Sequence, residues 1–178
     1  LARRRAEIDR LRTVHGTLSA DPDEPEVVLS SLDLEWWMRG ERGRVKVGVL
    51  LSPEPVPLVQ DLSLTSVPDP DDTLTRPASR ITLALSTEET SPTLDALDLG
   101  LASSVDRTAL ERVLRVTWAR FAPLRLGAVI AASATGATWR LLGDRGDLTL
   151  RLELDPATGD LTATEIQTVA REAPPLAD

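Results

Sequence analysis

Two stretches of this chain carry the same pattern. Residues 36–53 read WWMRGERGRVKVGVLLSP, and residues 139–156 read WRLLGDRGDLTLRLELDP. Gly40 and Gly143 are 143 − 40 = 103 positions apart, and the same offset superposes the first tryptophan of each stretch. In both, paired glycines suit a hairpin turn, and the residues beyond alternate as in a strand with one buried face. An internal match of this kind predicts a duplicated supersecondary unit.

The sequence around each stretch extends the match to a helix followed by a meander of strands. In the first half, apolar residues at i, i+3 and i+4 spacing predict a helix from Ile8 that ends near Gly16. Strands are then predicted at residues 27–31, 34–39, 44–51 and 59–67. In the second half, Asp106 is a good N-cap for a helix that ends before Pro123. Strands follow at residues 129–133, 139–142, 148–154 and 161–169.

The predicted fold is therefore α+β, with two tandem pseudo-repeats. Each repeat packs a helix on a curved antiparallel sheet of about four strands. The predicted organisation is a first unit, a connecting segment, a second unit and a frayed tail, at residues 1–67, 68–104, 105–169 and 170–178. Within the connection, residues 81–86 are interpreted as a short strand or one helical turn, and residues 68–72 and 88–92 as loops.

The composition excludes several classes of function. A net charge of −8 and a pI near 4.7 argue against a nucleic-acid surface, which requires clustered positive charge. The basic run Arg3–Arg5 is interpreted as a solvated helix end. No apolar run approaches the roughly 20 residues of a membrane helix. The absence of cysteine excludes disulfides, thiolate catalysis and cysteine-ligated zinc.

One resemblance is carried by the second half of the chain. A helix followed by a meander ending in GDLTLRLELDPATGDLTA, residues 146–163, resembles the cystatin-like and nuclear-transport-factor-2-like α+β domains. Such domains are attached as accessory modules to secreted bacterial serine hydrolases of the β-lactamase-like group. The tandem arrangement also resembles the bacterial β-lactamase inhibitor proteins, which duplicate a helix-plus-four-strand unit. The resemblance implies a bacterial, exported, non-catalytic module. The basic residues, of which Lys46 is the sole lysine, are also typical of a GC-rich bacterial genome.

Residues that commonly carry catalysis are few. The only histidine, His15, lies on the apolar stripe of the first helix, so a packing or helix-end role is predicted. No G-x-S-x-G, S-x-x-K, H-E-x-x-H, Walker-type or G-x-G-x-x-G motif is present. The sequence therefore predicts no catalytic residues, no cofactor and no metal.

Carboxylates leave an alternative open. Enzymes of the transport-factor-like fold place an aspartate in an apolar pocket, where burial raises its pKa. The strand carboxylates of this chain are expected to be solvated instead; they are Asp33, Glu35, Glu153 and Glu165. The acidic cluster that follows residue 68 lacks the glycine and distal glutamate of an EF-hand loop, so a solvated loop is predicted for Asp69, Asp71 and Asp72.

The tryptophans suggest a binding surface. Trp36 and Trp139 share the phase of the apolar alternation and are predicted to be core residues. Trp37 has the opposite phase and is grouped with three cationic residues, Arg39, Lys46 and Arg140. Tryptophan and arginine dominate interface hot spots, so these four residues form the candidate binding site. The alternative is that Trp37 packs between the two repeats.

Three functional hypotheses are consistent with the sequence. The favoured one is a non-catalytic accessory or binding module of a larger bacterial protein, whose partner is another protein or a covalently linked domain. The second is a small-ligand pocket protein, or an enzyme of the transport-factor-like fold that uses a buried carboxylate. The third is a protein inhibitor or chaperone-like protein that presents Trp37 and its arginines.

Overall fold

The structure, a computed structural model, describes residues 2–22, 24, 27–87 and 94–169. Two compact units divide the chain between Asp69 and Pro70. Each unit combines α-helix with one antiparallel sheet, which confirms the predicted α+β class. In these described ranges, no helix has the length and apolar character needed to cross a membrane. The predictions for residues 88–92 and for the tail at 170–178 lie outside the described residues.

The first unit holds one helix and a five-stranded sheet. The helix is α1 (Ala2–His15), and the strands are β1 (Ser19–Ala20), β2 (Val27–Ser30), β3 (Asp33–Gly40), β4 (Gly43–Leu51) and β5 (Val59–Pro68). Strands β3, β4 and β5 form a continuous meander, and both β1 and β2 pair with the other edge of β3. The predicted helix and four predicted strands are confirmed, with short β1 added.

The core of the first unit lies between α1 and one face of the meander. Val45 and Val47 of β4 are 1% and 4% exposed and pack with Leu11 of α1. Partly buried side chains surround them, including Trp36 and Met38 of β3. Burying each such side chain contributes about 1.5–3 kcal/mol, so the alternating face of the meander holds the helix in place.

The second unit holds three helices and a four-stranded sheet. The helices are α2 (Asp72–Ala84), α3 (Leu94–Leu97) and α4 (Arg107–Phe121), and the strands are β6 (Leu124–Ala132), β7 (Gly136–Gly143), β8 (Leu148–Leu154) and β9 (Leu161–Thr168). The strands pair in chain order. Asp106 caps α4 as predicted, accepting a hydrogen bond from the Ala109 amide at 2.9 Å.

The inward side chains of β7 and β8 form the core of the second unit. Trp139 is 2% exposed, and Leu148, Leu150 and Leu152 are at most 1% exposed. Helix α2 packs against β6, β7 and β8 of this sheet. The predicted inward phase of β8 and the predicted core position of Trp139 are therefore confirmed.

Helix α2 corrects the interpretation of residues 81–86 as a short strand or a single helical turn, and it begins at Asp72, the last residue of the loop predicted at 68–72. The helix places Leu74, Ala78 and Ile81 on one buried stripe, at i, i+4 and i+7. Its N-cap is Asp71, whose carboxylate accepts hydrogen bonds from the Thr73 and Leu74 amides. Pro77 lies inside this helix and has no N–H group to donate a helical hydrogen bond. A proline at such a position ordinarily predicts that a helix is interrupted there. Tertiary packing of the apolar stripe overrides that local penalty.

The two hairpins share a register. Trp36 pairs with Val47 across β3 and β4, and Trp139 pairs with Leu150 across β7 and β8. Both pairs are related by the offset of 103, since 139 − 36 and 150 − 47 give the same number. The last glycine of each turn has a positive φ, +128° at Gly43 and +143° at Gly146. Glycine is favoured there because it alone adopts such a φ without steric cost.

Candidate functional site

Three of the four predicted contact residues lie together on one face of the first sheet. Trp37 and Arg39 are two residues apart on β3, so their side chains project from the same face. Lys46 of β4 is the cross-strand partner of Trp37. Arg140 instead belongs to β7 of the second unit, where its cross-strand partner is Thr149. We name the first group, with Glu35 and Arg44 of the same face, the Trp37 face.

Arg44 is the residue of this face that the sequence pattern misjudges. Strand alternation places Arg44 among the mostly wet side chains of β4, yet in the structure it is 1% exposed. Its Nε donates a hydrogen bond to Asp21 Oδ2 at 2.7 Å. A terminal guanidinium nitrogen lies 3.6 Å from Glu24 Oε1. Arg44 is therefore the cation of a buried ion cluster.

The two carboxylates of this cluster come from the acidic, proline-rich loop that follows β1. Asp21 and Glu24 are only 8% and 7% exposed. The Asp21 amide donates a hydrogen bond to the Trp37 carbonyl at 2.9 Å, which ties the loop to the edge of β3. Because the loop is anchored there, its carboxylates lie over the outer face of β4. The sequence signal for this arrangement is weak, since acidic loops are normally solvated.

Arg44 also supports the indole of Trp37. The guanidinium carbon lies 4.3 Å from the Trp37 ring centroid, within the range of a cation–π contact. Contacts of this kind contribute about 0.5–2 kcal/mol, more when they are desolvated. Since Asp21 and Glu24 hold the guanidinium, the half-buried indole lies on a fixed cationic support.

Weaker ion pairs surround the indole. Lys46 Nζ lies 2.7 Å from Glu35 Oε2, and their side chains are 38% and 30% exposed. Arg39 lies 3.5 Å from Asp69, with both side chains more exposed. Ion pairs as solvated as these contribute about 0–1 kcal/mol. They give the face a polar rim of both signs and add little to the stability of the fold.

His15 has the structural role predicted for it. The imidazole is fully buried at the end of α1, with Nδ1 3.1 Å from the Arg42 carbonyl and Nε2 2.7 Å from Ser66 Oγ. Its own carbonyl accepts a hydrogen bond from the Glu41 amide at 2.7 Å. Both ring nitrogens therefore hold the β3–β4 turn and β5 against the helix end.

The strand carboxylates predicted to be solvated, Asp33 included, are all at least partly exposed. Glu35 pairs with Lys46, Glu153 pairs with Arg151, and Glu165 is exposed. Asp71 has a capping role, and the hydrogen bond from the Thr73 hydroxyl is the main cause that lowers its pKa. In the part of the chain that the structure describes, no group of three or more histidine, aspartate and glutamate side chains is placed to hold a metal ion.

Two clefts of the second unit bear on the alternative of a carboxylate in a pocket. One, of about 510 Å³, is lined by Ser86, Trp118 and Arg145 with neighbouring small residues. The other, of about 290 Å³, includes Glu153, whose side chain is 45% exposed and paired with Arg151. Neither of these clefts presents a buried carboxylate. The buried carboxylates of the first unit, Asp21 and Glu24, face Arg44 instead.

No protein-family model, curated protein or solved structure matches this chain. Its class is therefore defined by its own fold and surface. It is an α+β protein of two compact units, and the first unit carries an aromatic and cationic face built over a buried ion cluster.

Proposed function

We propose that this chain is a non-catalytic binding module that captures a protein partner, or a covalently linked domain, through the Trp37 face. The observation that carries the proposal is the support of Trp37. Its indole stacks at 4.3 Å on a guanidinium that is 1% exposed and bonded to a buried carboxylate. Tryptophan and arginine in such fixed positions are the residue types that dominate binding energy at protein interfaces.

Preorganisation is the physical reason that this geometry favours binding. A mobile side chain loses about 0.5–1.5 kcal/mol of conformational freedom when an interface immobilises it. Trp37 is already restrained by Arg44, so it loses less. The Lys46–Glu35 pair and the Arg39–Asp69 pair at its rim offer both signs of charge to a partner. Rim charges of this kind govern orientation and association rate more than affinity.

A non-catalytic role is supported by the use of the ionisable groups. His15, the only histidine of the chain, is buried and both its ring nitrogens have structural partners. The enzyme alternative requires a buried carboxylate in a cleft, and no observation favours it. The inhibitor and chaperone-like alternatives would use the same Trp37 face and differ from the favoured proposal only in the partner.

Tandem duplication and an accessory role in a larger bacterial protein belong to the same proposal. The common hairpin register and the matching positive-φ glycines support duplication. So does the end of each preceding helix, because a Cβ on the first turn glycine would contact His15 and Leu18 in one unit and Phe121 and Leu124 in the other. These are corresponding positions, each three residues apart.

The gene is first read on both sides of this chain to find any encoded domain that could be the partner. That domain, or a partner captured from the source organism and purified, is titrated against the native chain and against Trp37→Ala, Trp37→Phe and Lys46→Ala. We expect Trp37→Ala to weaken binding at least about tenfold, and Trp37→Phe to retain most of it. The matched control is Arg112→Ala, an exposed position of α4. Equal binding by native and Trp37→Ala chains, with both folded, would refute the proposal.

A further inference from the structure

A groove runs between α1 and the beginning of β5 in the first unit. Its volume is about 690 Å³. One side is a stripe of α1 that includes Arg5, Ile8 and Arg12, and the other side includes Val59 and Leu62. It lies on the side of the sheet that faces α1, opposite to the Trp37 face. The groove therefore combines an apolar floor with three arginines of the helix and two carboxylates, Asp9 and Asp61, so its lining has a small net positive charge.

Strand β5, which lines this groove, is an edge strand of the first sheet. Strand β5 pairs with β4 on one side, and in the described residues no strand pairs with its other edge. In an antiparallel edge strand, alternate residues direct their N–H and C=O groups away from the sheet. Between Val59 and Val67 the strand contains no proline and a single charged residue, Asp61. It thus lacks most of the devices that block an edge from accepting another strand.

Apolar side chains are exposed where the chain enters this edge. Val56, Leu58 and Val59 are 76%, 61% and 62% exposed. Isolated exposed apolar residues are ordinary, but a cluster beside a groove and an unpaired strand edge marks a contact surface. Its occupant must therefore supply apolar side chains as well as backbone hydrogen bonds.

The arginines of the groove favour an occupant with negatively charged side chains. Arg4 is paired with Glu7 at 3.0 Å and with Asp61 at 3.4 Å. Arg5 and Arg12 are exposed, and no ion pair to another described residue engages either guanidinium. Arg5 and Arg12 thus form a local positive charge in a chain whose net charge is −8. They attract carboxylates and repel a lysine-rich segment.

We propose that an extended acidic segment of a partner protein binds here by adding a strand to the free edge of β5. Backbone hydrogen bonds to the strand supply affinity, and side chains facing the helix supply specificity. Apolar side chains of the segment cover Ile8 and Leu62, and its carboxylates reach Arg5 and Arg12. Arg5 and Arg12 are seven positions apart, which corresponds to about 10.5 Å along the helix, and carboxylates four residues apart on a strand are about 13 Å apart.

The probe is a fluorescein-labelled heptapeptide, Thr-Glu-Thr-Val-Thr-Glu-Thr, which places Glu, Val and Glu on one face of a strand. Its fluorescence anisotropy is measured against the full 178-residue chain. We expect saturable binding in the range of about 10–500 μM, which weakens as salt is added. Two control peptides should bind at least about tenfold more weakly: one with both glutamates replaced by lysine, and one N-methylated at alternate amides.

Charge-reversal variants test the arginines. Arg5→Glu/Arg12→Glu should weaken binding of the acidic peptide at least about tenfold. The matched control, Arg10→Glu/Arg112→Glu, changes net charge equally at two exposed positions that do not line the groove. It should bind within about twofold of the native chain. Circular dichroism and thermal midpoints verify that both variants fold. Trp37→Ala should also bind the peptide within about twofold, so this result is independent of the proposed function.

Three outcomes would overturn the inference. The first is no binding of the acidic peptide by the native chain at about 1 mM. The second is equal binding of the N-methylated or lysine peptide, since neither an edge strand nor the arginines would then recognise the ligand. The third comes from light scattering: a dimer of the native chain that Arg5→Glu/Arg12→Glu dissociates would assign the β5 edge to a second copy of this chain.

Discussion

The outer faces of β4 and β8 occupy the same place in two hairpins and have different chemistry. On β8, Thr149, Arg151 and Glu153 are at least partly exposed, and the Arg151–Glu153 pair is solvated. On β4, Arg44 is 1% exposed and bonded to the buried Asp21. Both inner faces are apolar and buried. Strand alternation therefore determines the inner face in each unit, whereas a covering loop decides whether the outer face is wet.

The two outer faces also differ in how much their ion pairs contribute to stability. A solvated pair such as Arg151–Glu153 contributes little to folding. Buried ions lose their hydration, so each depends on its partner, and removing one partner costs far more than the net value of the pair. The outer face of the first sheet is thus more sensitive to single substitutions than the corresponding face of the second.

The largest effect is expected at Arg44. Arg44→Met leaves Asp21 and Glu24 buried without their cation and should lower the stability of the first unit by about 3–5 kcal/mol. Arg151→Met on β8 should change the second unit by less than about 1 kcal/mol. Amide hydrogen exchange of β4 and β8, measured by NMR, reports the two units separately.

A second variant distinguishes lost electrostatics from lost packing. Adding Asp21→Asn and Glu24→Gln to Arg44→Met removes two buried negative charges and should recover part of the lost stability. A loss of stability below about 1 kcal/mol for Arg44→Met alone would contradict this difference between the units, because substitutions on the two outer faces would then have similar effects on stability.

The next effect is expected at the helix ends. His15 bonds to Ser66 and to the Arg42 carbonyl, whereas Phe121 ends the corresponding helix of the second unit. His15→Phe would leave those two polar groups without their partner, and we expect a loss of about 1–3 kcal/mol in urea unfolding. If His15→Phe were as stable to urea as the native chain, this prediction would be wrong, and an apolar residue would be sufficient at the helix end of either unit.

A smaller effect, with a pH signature, is expected at the cap of α2. Asp71→Ala should destabilise the second unit by about 1 kcal/mol near neutral pH, because two backbone amides lose their acceptor. The pKa of Asp71 is lowered below 3.8 in the folded chain, chiefly by the hydrogen bond from Thr73. A lowered folded pKa stabilises above the unfolded pKa, and this contribution is lost as pH falls through the folded value.

The urea unfolding difference between native chain and Asp71→Ala should therefore shrink on acidification below about pH 4. Asp106→Ala provides the comparison at α4, where the carboxylate accepts one amide hydrogen bond. A difference for Asp71→Ala that stays constant down to pH 2 would contradict the assigned role of the ionised carboxylate.

The smallest stability effect is expected at Lys46. Its pair with Glu35 is more than 30% exposed on the lysine side, so Lys46→Ala should cost less than about 1 kcal/mol. Thr149→Ala, at the corresponding position of β8, should be similarly mild. A loss near that expected for Arg44→Met would show that the rim pair supports the fold, and Lys46 would no longer serve as a test of binding alone.

The elements with strong local signals could be predicted from the sequence. Both hairpins, the Asp106 cap and the end of α4 before Pro123 were predicted correctly, since turn glycines, caps and prolines act within a few residues. Helix α2 was missed although Leu74, Ala78 and Ile81 have helical spacing. Its interior Pro77 contradicts that spacing, and packing against the second sheet resolves the conflict.

For the site, the sequence placed Trp37, Arg39 and Lys46 on one face, because strand alternation and hairpin register are local properties. Arg140 was grouped with them because it is the counterpart of Trp37 at the offset of 103, and the structure places it in the other unit. The buried role of Arg44 was not predictable, since its carboxylate partners lie about twenty residues earlier in a loop whose course no local pattern specifies.

The amino-acid sequence by itself determined the α+β class, the inward face of each meander and the outward phase of Trp37, because periodicity and turn chemistry act over short distances. Only the tertiary structure decided that α2 packs on the second sheet and that Asp21 and Glu24 close over Arg44. The reason is physical. The cost of burying a charge depends on whether a partner arrives from elsewhere in the chain, and only the folded chain brings the two together.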